Sequence, residues 1–153
     1  MEQEISFSRS FKVILDNLSY KFQISPYLSC TQQHPLLSYY WVKLNSVRFH
    51  KKQTVMLCPA RGAIKYRFGL VHDILTESEN ALKIVIVCRM FRTICYSDLF
   101  EAYHVELMKN YLAFELKSLQ VIKTFAVHEV SKELYVVTKE NYRRQLLGDK
   151  VSL

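Results

Sequence analysis

The chain has 153 residues, half of them hydrophobic and 13% aromatic, so it is long enough to bury one core and too apolar for a disordered tail. Its net charge is +7, and its only glycines are Gly62, Gly69 and Gly148, which excludes the Gly-rich loops that hold nucleotide cofactors. No apolar run approaches the roughly 20 residues that span a bilayer, and the acidic start is not a secretory signal. We therefore expect an intracellular protein without membrane contact or cofactor.

The positive charge is concentrated in one third of the chain. Residues 17–72 contain no Asp or Glu and eight basic residues, whereas residues 1–16 have a net charge of −1 and residues 73–153 are neutral. The eight are Lys21, Lys43, Arg48, Lys51, Lys52, Arg61, Lys65 and Arg67. Such an imbalance is the electrostatic pattern of a polyanion-binding surface.

Residues 1–20 have apolar side chains at helical spacing, with Ser8 or Ser10 available as an N-cap. The apolar positions are Phe7, Phe11, Ile14, Leu15 and Leu18. This spacing predicts a short amphipathic helix, followed from Phe22 to Leu37 by an irregular connection that contains two prolines. We expect residues 1–38 to form an N-terminal helix and arm, residues 39–140 a β-rich core, and residues 141–153 a polar tail.

The segment from Trp41 to Phe49 alternates like a strand, but neither side is cleanly apolar. A tight turn at Asn45 and Ser46 between two short strands is the alternative. Residues 50–53 are predicted to form a polar turn.

Three apolar runs rich in β-branched and aromatic residues predict paired strands at Thr54–Cys58, Tyr66–Val71 and Leu82–Cys88. Residues 76–80 form the polar break before the third run. Gly69 lies within the second run, where it permits the bending that closes a barrel; a turn glycine is the alternative.

The segment from Ser97 to Leu119 is ambiguous, because its local propensities favour a helix while residues 102–106 alternate like a strand. Further strands are predicted at Val121–Val127 and Leu134–Thr138, with residues 129–133 as the link between them.

The order of these features resembles that of a known class of modules. Val55-Met56-Leu57 precedes Phe68-Gly69, and then come Ile84–Val87, Phe91, Tyr103–Glu106 and Tyr135–Val137. Over residues 41–138 this resembles SH3-like barrels of the bromo-adjacent-homology type, and more closely the β-rich modules near the C terminus of animal proteins derived from DNA transposons. The resemblance implies a mainly β fold, a small SH3-like barrel with one or two flanking helices. It also implies a non-catalytic, chromatin-associated module, nuclear rather than cytoplasmic. Two departures are the scarcity of Gly in the turns and the helical propensity of Ser97–Leu119.

The acid-free segment interleaves bases with aromatic residues that can stack on nucleobases. We therefore predict a non-catalytic module that binds nucleic acid or another polyanion, with chromatin proteins as further partners. The predicted contact residues are Lys43, Arg48, Lys51, Lys52, Arg61, Lys65, Arg67 and Tyr66.

Several alternatives have a residue basis. Tyr39, Tyr40 and Trp41 are candidates for an aromatic cage, although adjacent strand residues face opposite sides. A metal site could use Cys88, Cys95 and His104, with His72 or Cys58, but the spacing fits no zinc motif and we predict no metal. A small α+β nucleic-acid-processing enzyme would use Asp73, Glu77 or His72, and both His72-Asp73 and His104 with Glu106 place a base near a carboxylate. Asp73, Glu77 and Glu79 could hold Mg²⁺, although all three fall in a predicted polar turn. A protein–protein interaction module would follow from scattered bases.

Overall fold

Antiparallel strands make up most of the chain. The computed structural model describes residues 4–29, 35–57, 67–78, 83–118 and 124–138. The strands are β1 (Ile5–Phe7), β2 (Ser10–Ile14), β3 (Pro35–Tyr39), β4 (Trp41–Leu44), β5 (Val47–His50), β6 (Thr54–Leu57), β7 (Arg67–Thr76), β8 (Val85–Ser97), β9 (Ala102–Glu115), β10 (Thr124–Val130) and β11 (Glu133–Val137). The α-helix of the described part is α1 (Lys21–Ile24). The predicted β-rich fold with a flanking helix is confirmed.

Six strands close into a ring. β7 pairs with β6, which pairs with β10; β10, β11, β9 and β8 follow, and β8 returns to β7. The interior is filled by five buried side chains, Phe68, Phe91, Val105, Phe125 and Val136. Because every strand of a closed ring has two neighbours, these six leave no unpaired sheet edge where they pair.

The long strands β7, β8 and β9 continue beyond the ring within the same eight-stranded sheet, which β3 and β2 extend. A three-stranded sheet, in the order β1-β4-β5, covers one face of this extension. Val42 and Phe49 of that sheet pack with Ile74 and Ile86 in one core. The segment around α1 covers the other face, where Ile24 packs against Leu75 and Val87 in a second core.

Two hairpins have tight turns whose central residues take positive φ. Asn45 and Ser46 have φ of 50° and 72° between β4 and β5, and Ser131 and Lys132 have φ of 52° and 69° between β10 and β11. Two-residue turns of this hand match the twist of the flanking strands. The turn at Asn45 and Ser46 is thus confirmed, as is the polar turn before β6. The link predicted at residues 129–133 is shorter, because only Ser131 and Lys132 lie between β10 and β11.

Gly69 lies inside strand β7 and not in a turn. A Cβ atom built there would lie 2.8 Å from the Cβ of Cys88 on the neighbouring strand β8, so any side chain would collide with β8. The bulge of β7 comes slightly later, where the pairing with β8 shifts between Val71 and Asp73.

One helix prediction was wrong. Residues 5–14 form β1 and β2, which pair with β4 and β3, and the short helix lies instead at Lys21–Ile24, which overlaps the start of the segment predicted to be irregular. The segment from Ser97, which was ambiguous between helix and strand, contains β9, a strand of 14 residues between β8 and β11. In both segments pairing within a sheet overrides local helical propensity. The predicted strand positions 58, 66, 82 and 121–123, and the tail at 141–153, lie outside the described residues.

In the described part of the chain, no helix is long and apolar enough to span a bilayer.

Candidate nucleic-acid interface

The outward face of the three-stranded sheet combines basic and aromatic side chains. Along β4, Val42 and Leu44 are buried, while Lys43 is exposed and Trp41 is half-buried. On β5, Phe49 is buried and Arg48 is exposed. Alternation therefore directs the apolar positions into the core and presents Trp41, Lys43 and Arg48 on the outer face.

Lys43 and Arg48 are directly opposite each other in the β4–β5 pair. Opposed residues of an antiparallel pair have Cβ atoms about 4.5–5.5 Å apart, and like charges there destabilise the sheet. Among the described residues neither cation has a carboxylate partner. This part of the surface therefore has uncompensated positive charge.

Arg48 lies over the ring of Trp41. Its guanidinium carbon is 4.2 Å from the ring centroid, a cation–π contact. Contacts of this kind contribute about 0.5–1 kcal/mol at exposed sites. The contact holds the guanidinium against the sheet, although Arg48 as a whole is exposed.

A second pair of rings lies at the Trp41 end of the sheet. Tyr40 is 54% exposed, and its ring is nearly parallel to that of His50, with 6.2 Å between the centroids. His50 is in turn opposite Trp41. The backbone N–H groups of Tyr40 and Trp41 both donate to Ser8 Oγ, at 2.9 and 3.1 Å, which fixes the entry into β4. Tyr39 is buried and stacks on Phe7, so the three adjacent aromatic residues do not line one cage.

Charged residues at the ends of this face are mainly basic. Arg9 follows Ser8 and is exposed, and Lys52 is exposed in the turn after β5, with φ of 71°. Glu4 lies at the opposite end, where its backbone N–H donates to Asn45 Oδ1 at 3.0 Å. We define the outer face as Trp41, Lys43, Arg48, Tyr40 and His50, with Arg9 and Lys52 at its end.

The predicted contact residues do not all join the outer face. Lys43 and Arg48 are brought together, and Lys52 lies close by. Lys51 points to Asp73. Arg67 is the first residue of β7 and lies four residues before Val71, the residue whose carbonyl accepts from the Lys52 N–H. That separation is about 13 Å along a strand. Arg61, Lys65 and Tyr66 lie outside the described residues. Lys21, on α1, pairs with Asp16 on the face of β7 and β8 that is opposite the three-stranded sheet.

The carboxylate of Asp73 is the centre of a buried polar network. It is 5% exposed and accepts hydrogen bonds from Tyr20 Oη, from Ser38 Oγ at 2.6 Å and from the Ile74 N–H at 2.9 Å. Lys51 Nζ lies 3.4 Å from the same carboxylate. Burial, together with the bond to Asp73, raises the pKa of Tyr20. The prediction that Asp73 lies in a polar turn was wrong, because the residue is inside strand β7.

The bulge explains why His72 and Asp73 face the same side. Tyr20 donates to Asp73, and its ring also meets the imidazole of His72 edge-on, with 5.3 Å between the centroids. The Tyr111 ring lies 4.9 Å from His72. A bulge lets two consecutive residues project together, which regular alternation forbids. Desolvation lowers the pKa of His72; Asp73 opposes this shift, while Lys51 and Arg89 reinforce it.

Two carboxylates among the enzymatic candidates accept hydrogen bonds from other parts of the protein. Each Asp73 oxygen has a protein donor, and Glu77 accepts from the N–H and hydroxyl of Ser29. Glu79 lies outside the described residues. These contacts join β7 to the segments before and after α1, through Tyr20 and Ser29, and to β3 through Ser38.

Of the remaining cysteine and histidine candidates, Cys95 lies opposite His104 in the β8–β9 pair. Cys88 is buried, which raises the pKa of its thiol to about 12, whereas Cys95 is exposed. His104 pairs with Glu133 rather than with Glu106, which pairs with Arg92. Within the described ranges no three His, Cys, Asp or Glu side chains are grouped to hold a metal ion.

No family model matches this chain, and a search of curated proteins finds no significant match.

Proposed function

We propose that this chain is a non-catalytic module that binds nucleic acid through the outer face. The observation that carries the proposal is the opposition of Lys43 and Arg48 on an exposed strand pair, without a carboxylate partner among the described residues. A phosphate group bound between them would remove their mutual repulsion and release counterions. The SH3-like resemblance, a transposon-derived origin, chromatin association and a nuclear location are compatible with this proposal and remain part of it.

The chemistry of the face favours a phosphate backbone over other anions. A guanidinium offers a planar set of donors that matches phosphate oxygens, and an ammonium adds a point charge. Arg9 and Lys52 extend the positive potential beyond the Trp41 end. Aromatic rings lie between these charges, and nucleobases can stack on them, whereas a simple anion would make no use of them.

Charge reversal tests the proposal. The double variant Lys43→Glu/Arg48→Glu should bind a labelled oligonucleotide much more weakly than the wild type in fluorescence anisotropy. Each lost phosphate contact should reduce the slope of log affinity against log salt by about 0.7 for a single strand and about 0.9 for a duplex.

The matched control is Lys109→Glu/Lys132→Glu, which removes the same charge from two exposed residues elsewhere. If both double variants weaken binding equally, the attraction is a property of net charge and the outer face is not the site. Binding by the wild type that is indifferent to salt would refute the proposal directly.

A further inference from the structure

We propose that the nucleic acid bound at the outer face is single-stranded, and that one of its bases stacks on the Trp41–Arg48 pair. This inference rests on the proposed function and adds the class of ligand. Its first support is the position of Arg48: its guanidinium covers the Trp41 ring at 4.2 Å, while the side chain as a whole is exposed. An unpaired base can stack on the planar guanidinium, as on an aromatic ring.

The second support is the proximity of phosphate and base contacts. Lys43 is directly opposite Arg48, so a nucleotide whose base lies on Arg48 has its phosphate within reach of an ammonium. His50, opposite Trp41, and Tyr40, parallel to His50, offer a second flat surface next to the first. Successive bases of a flexible strand can use successive platforms of this kind.

The third support is that the described part is poorly shaped for a duplex groove. A major groove admits an α-helix or a protruding two-stranded ribbon. The described helix, α1, has four residues. The β4–β5 hairpin has β1 along one edge, and its inner face, with Val42 and Phe49, is buried in the core, so it cannot insert. A sheet face with exposed rings instead suits bases that are already unpaired.

The test compares three labelled probes by anisotropy: a 12-nucleotide oligothymidine, the same backbone with abasic sites in place of the bases, and a duplex. The single strand with bases should bind at least tenfold more tightly than either other probe. Replacement of one stacking residue should weaken its binding about 5- to 150-fold.

Two substitutions separate stacking from charge and from packing. Trp41→Leu keeps an apolar side chain but removes the ring plane, and Arg48→Lys keeps the charge but removes the guanidinium plane. Both should abolish the preference for bases over abasic sites, whereas Trp41→Phe should retain most of it. Arg48→Lys should leave the salt slope unchanged. Thermal unfolding of each variant checks that the fold persists, and Arg48→Lys provides the test if Trp41→Leu is unfolded.

Because Trp41 is the only tryptophan, quenching of its intrinsic fluorescence is an independent signal for stacking. Equal affinity for all three probes, with normal binding by Trp41→Leu, would overturn this inference and leave the proposed function standing. Tighter binding to the duplex would also overturn it. If none of the three probes shows salt-dependent binding, both proposals are refuted.

Discussion

Replacement of Asp73 by Asn tests whether the buried carboxylate stabilises the fold or is retained for chemistry. The change keeps the size of the side chain and removes its charge. Tyr20 and Ser38 would lose a charged acceptor, and the new NH₂ group would face donors instead of accepting from them. Asp73 is almost fully buried, so water cannot replace the lost bonds.

The expected loss of stability follows from these contacts. A hydrogen bond to a charged group contributes about 1.5–3 kcal/mol and a neutral one about 1 kcal/mol, so each of the two hydroxyl bonds should lose about 1 kcal/mol. The misplaced NH₂ group adds about 1–2 kcal/mol as an unsatisfied buried donor. The Lys51 ion pair adds less than about 1 kcal/mol, because this side chain is 22% exposed and can turn to solvent. The total is about 3–5 kcal/mol.

Urea unfolding followed by circular dichroism measures this loss. Asp98→Asn is the matched control, since Asp98 is exposed and the same change there should alter stability by less than about 0.5 kcal/mol. A change at Asp73 no larger than the control would refute the reasoning. An increase in stability would instead indicate a carboxylate kept for activity at the expense of the fold, and would favour the enzymatic alternative.

Three further predictions follow from the strands around this network. Gly69→Ala should destabilise the protein by about 1–3 kcal/mol in urea unfolding, because its Cβ would overlap that of Cys88. Maleimide labelling with peptide mapping should modify Cys95 in the folded protein and Cys88 only after unfolding, because burial raises the pKa of the Cys88 thiol to about 12. The free energy of unfolding should fall as the pH drops below about 6.5. The pKa of His72 is lowered in the folded protein, so the unfolded chain takes up the proton at a higher pH, and His72→Gln should remove this contribution.

Each of these has a distinct contrary result. Rescue of Gly69→Ala by Cys88→Ala would show that the sulfur, and not the backbone approach, limits the space. Equal labelling rates for Cys88 and Cys95 in the native protein would contradict the burial argument. If the stability difference between wild type and His72→Gln is the same at pH 7.5 and pH 5.5, the imidazole is not desolvated in the folded state.

Much of the strand content could be predicted from the sequence, because β-branched runs and the Asn45-Ser46 turn act locally. The helix wrongly predicted in residues 1–20 and the ambiguous segment from Ser97 show what local propensity misses. The sheet partners of residues 5–14 lie 21 to 39 residues away along the chain, so they leave no signal in a local window. Residues 102–115 pair with β8 through the short turn after Ser97 and with β11, and this pairing overrides their helical propensity.

The site was predictable in composition but not in geometry. The acid-free segment pointed to the bases, yet it could not show that Lys43 and Arg48 would meet while Lys51 would point away from them. His50 and Arg9 were missed as parts of the outer face. The hairpin turn was the available signal: once Asn45 and Ser46 are central residues, the pairing of Lys43 with Arg48 and of Trp41 with His50 follows by counting.

The two polar features of the molecule are connected through one turn. Lys51 follows His50, its ammonium lies 3.4 Å from Asp73, and its backbone N–H donates to the Tyr40 carbonyl. The buried carboxylate therefore anchors the turn that follows the second pair of rings, and Lys52 projects from the same turn. Because the anchoring charge is used internally, Lys51 contributes to the outer face by positioning its neighbours, and the proposed phosphate contacts are left to Lys43 and Arg48. A single acid at position 73, the first after 56 residues without one, thus draws one of the surrounding cations, Lys51, away from the outer face.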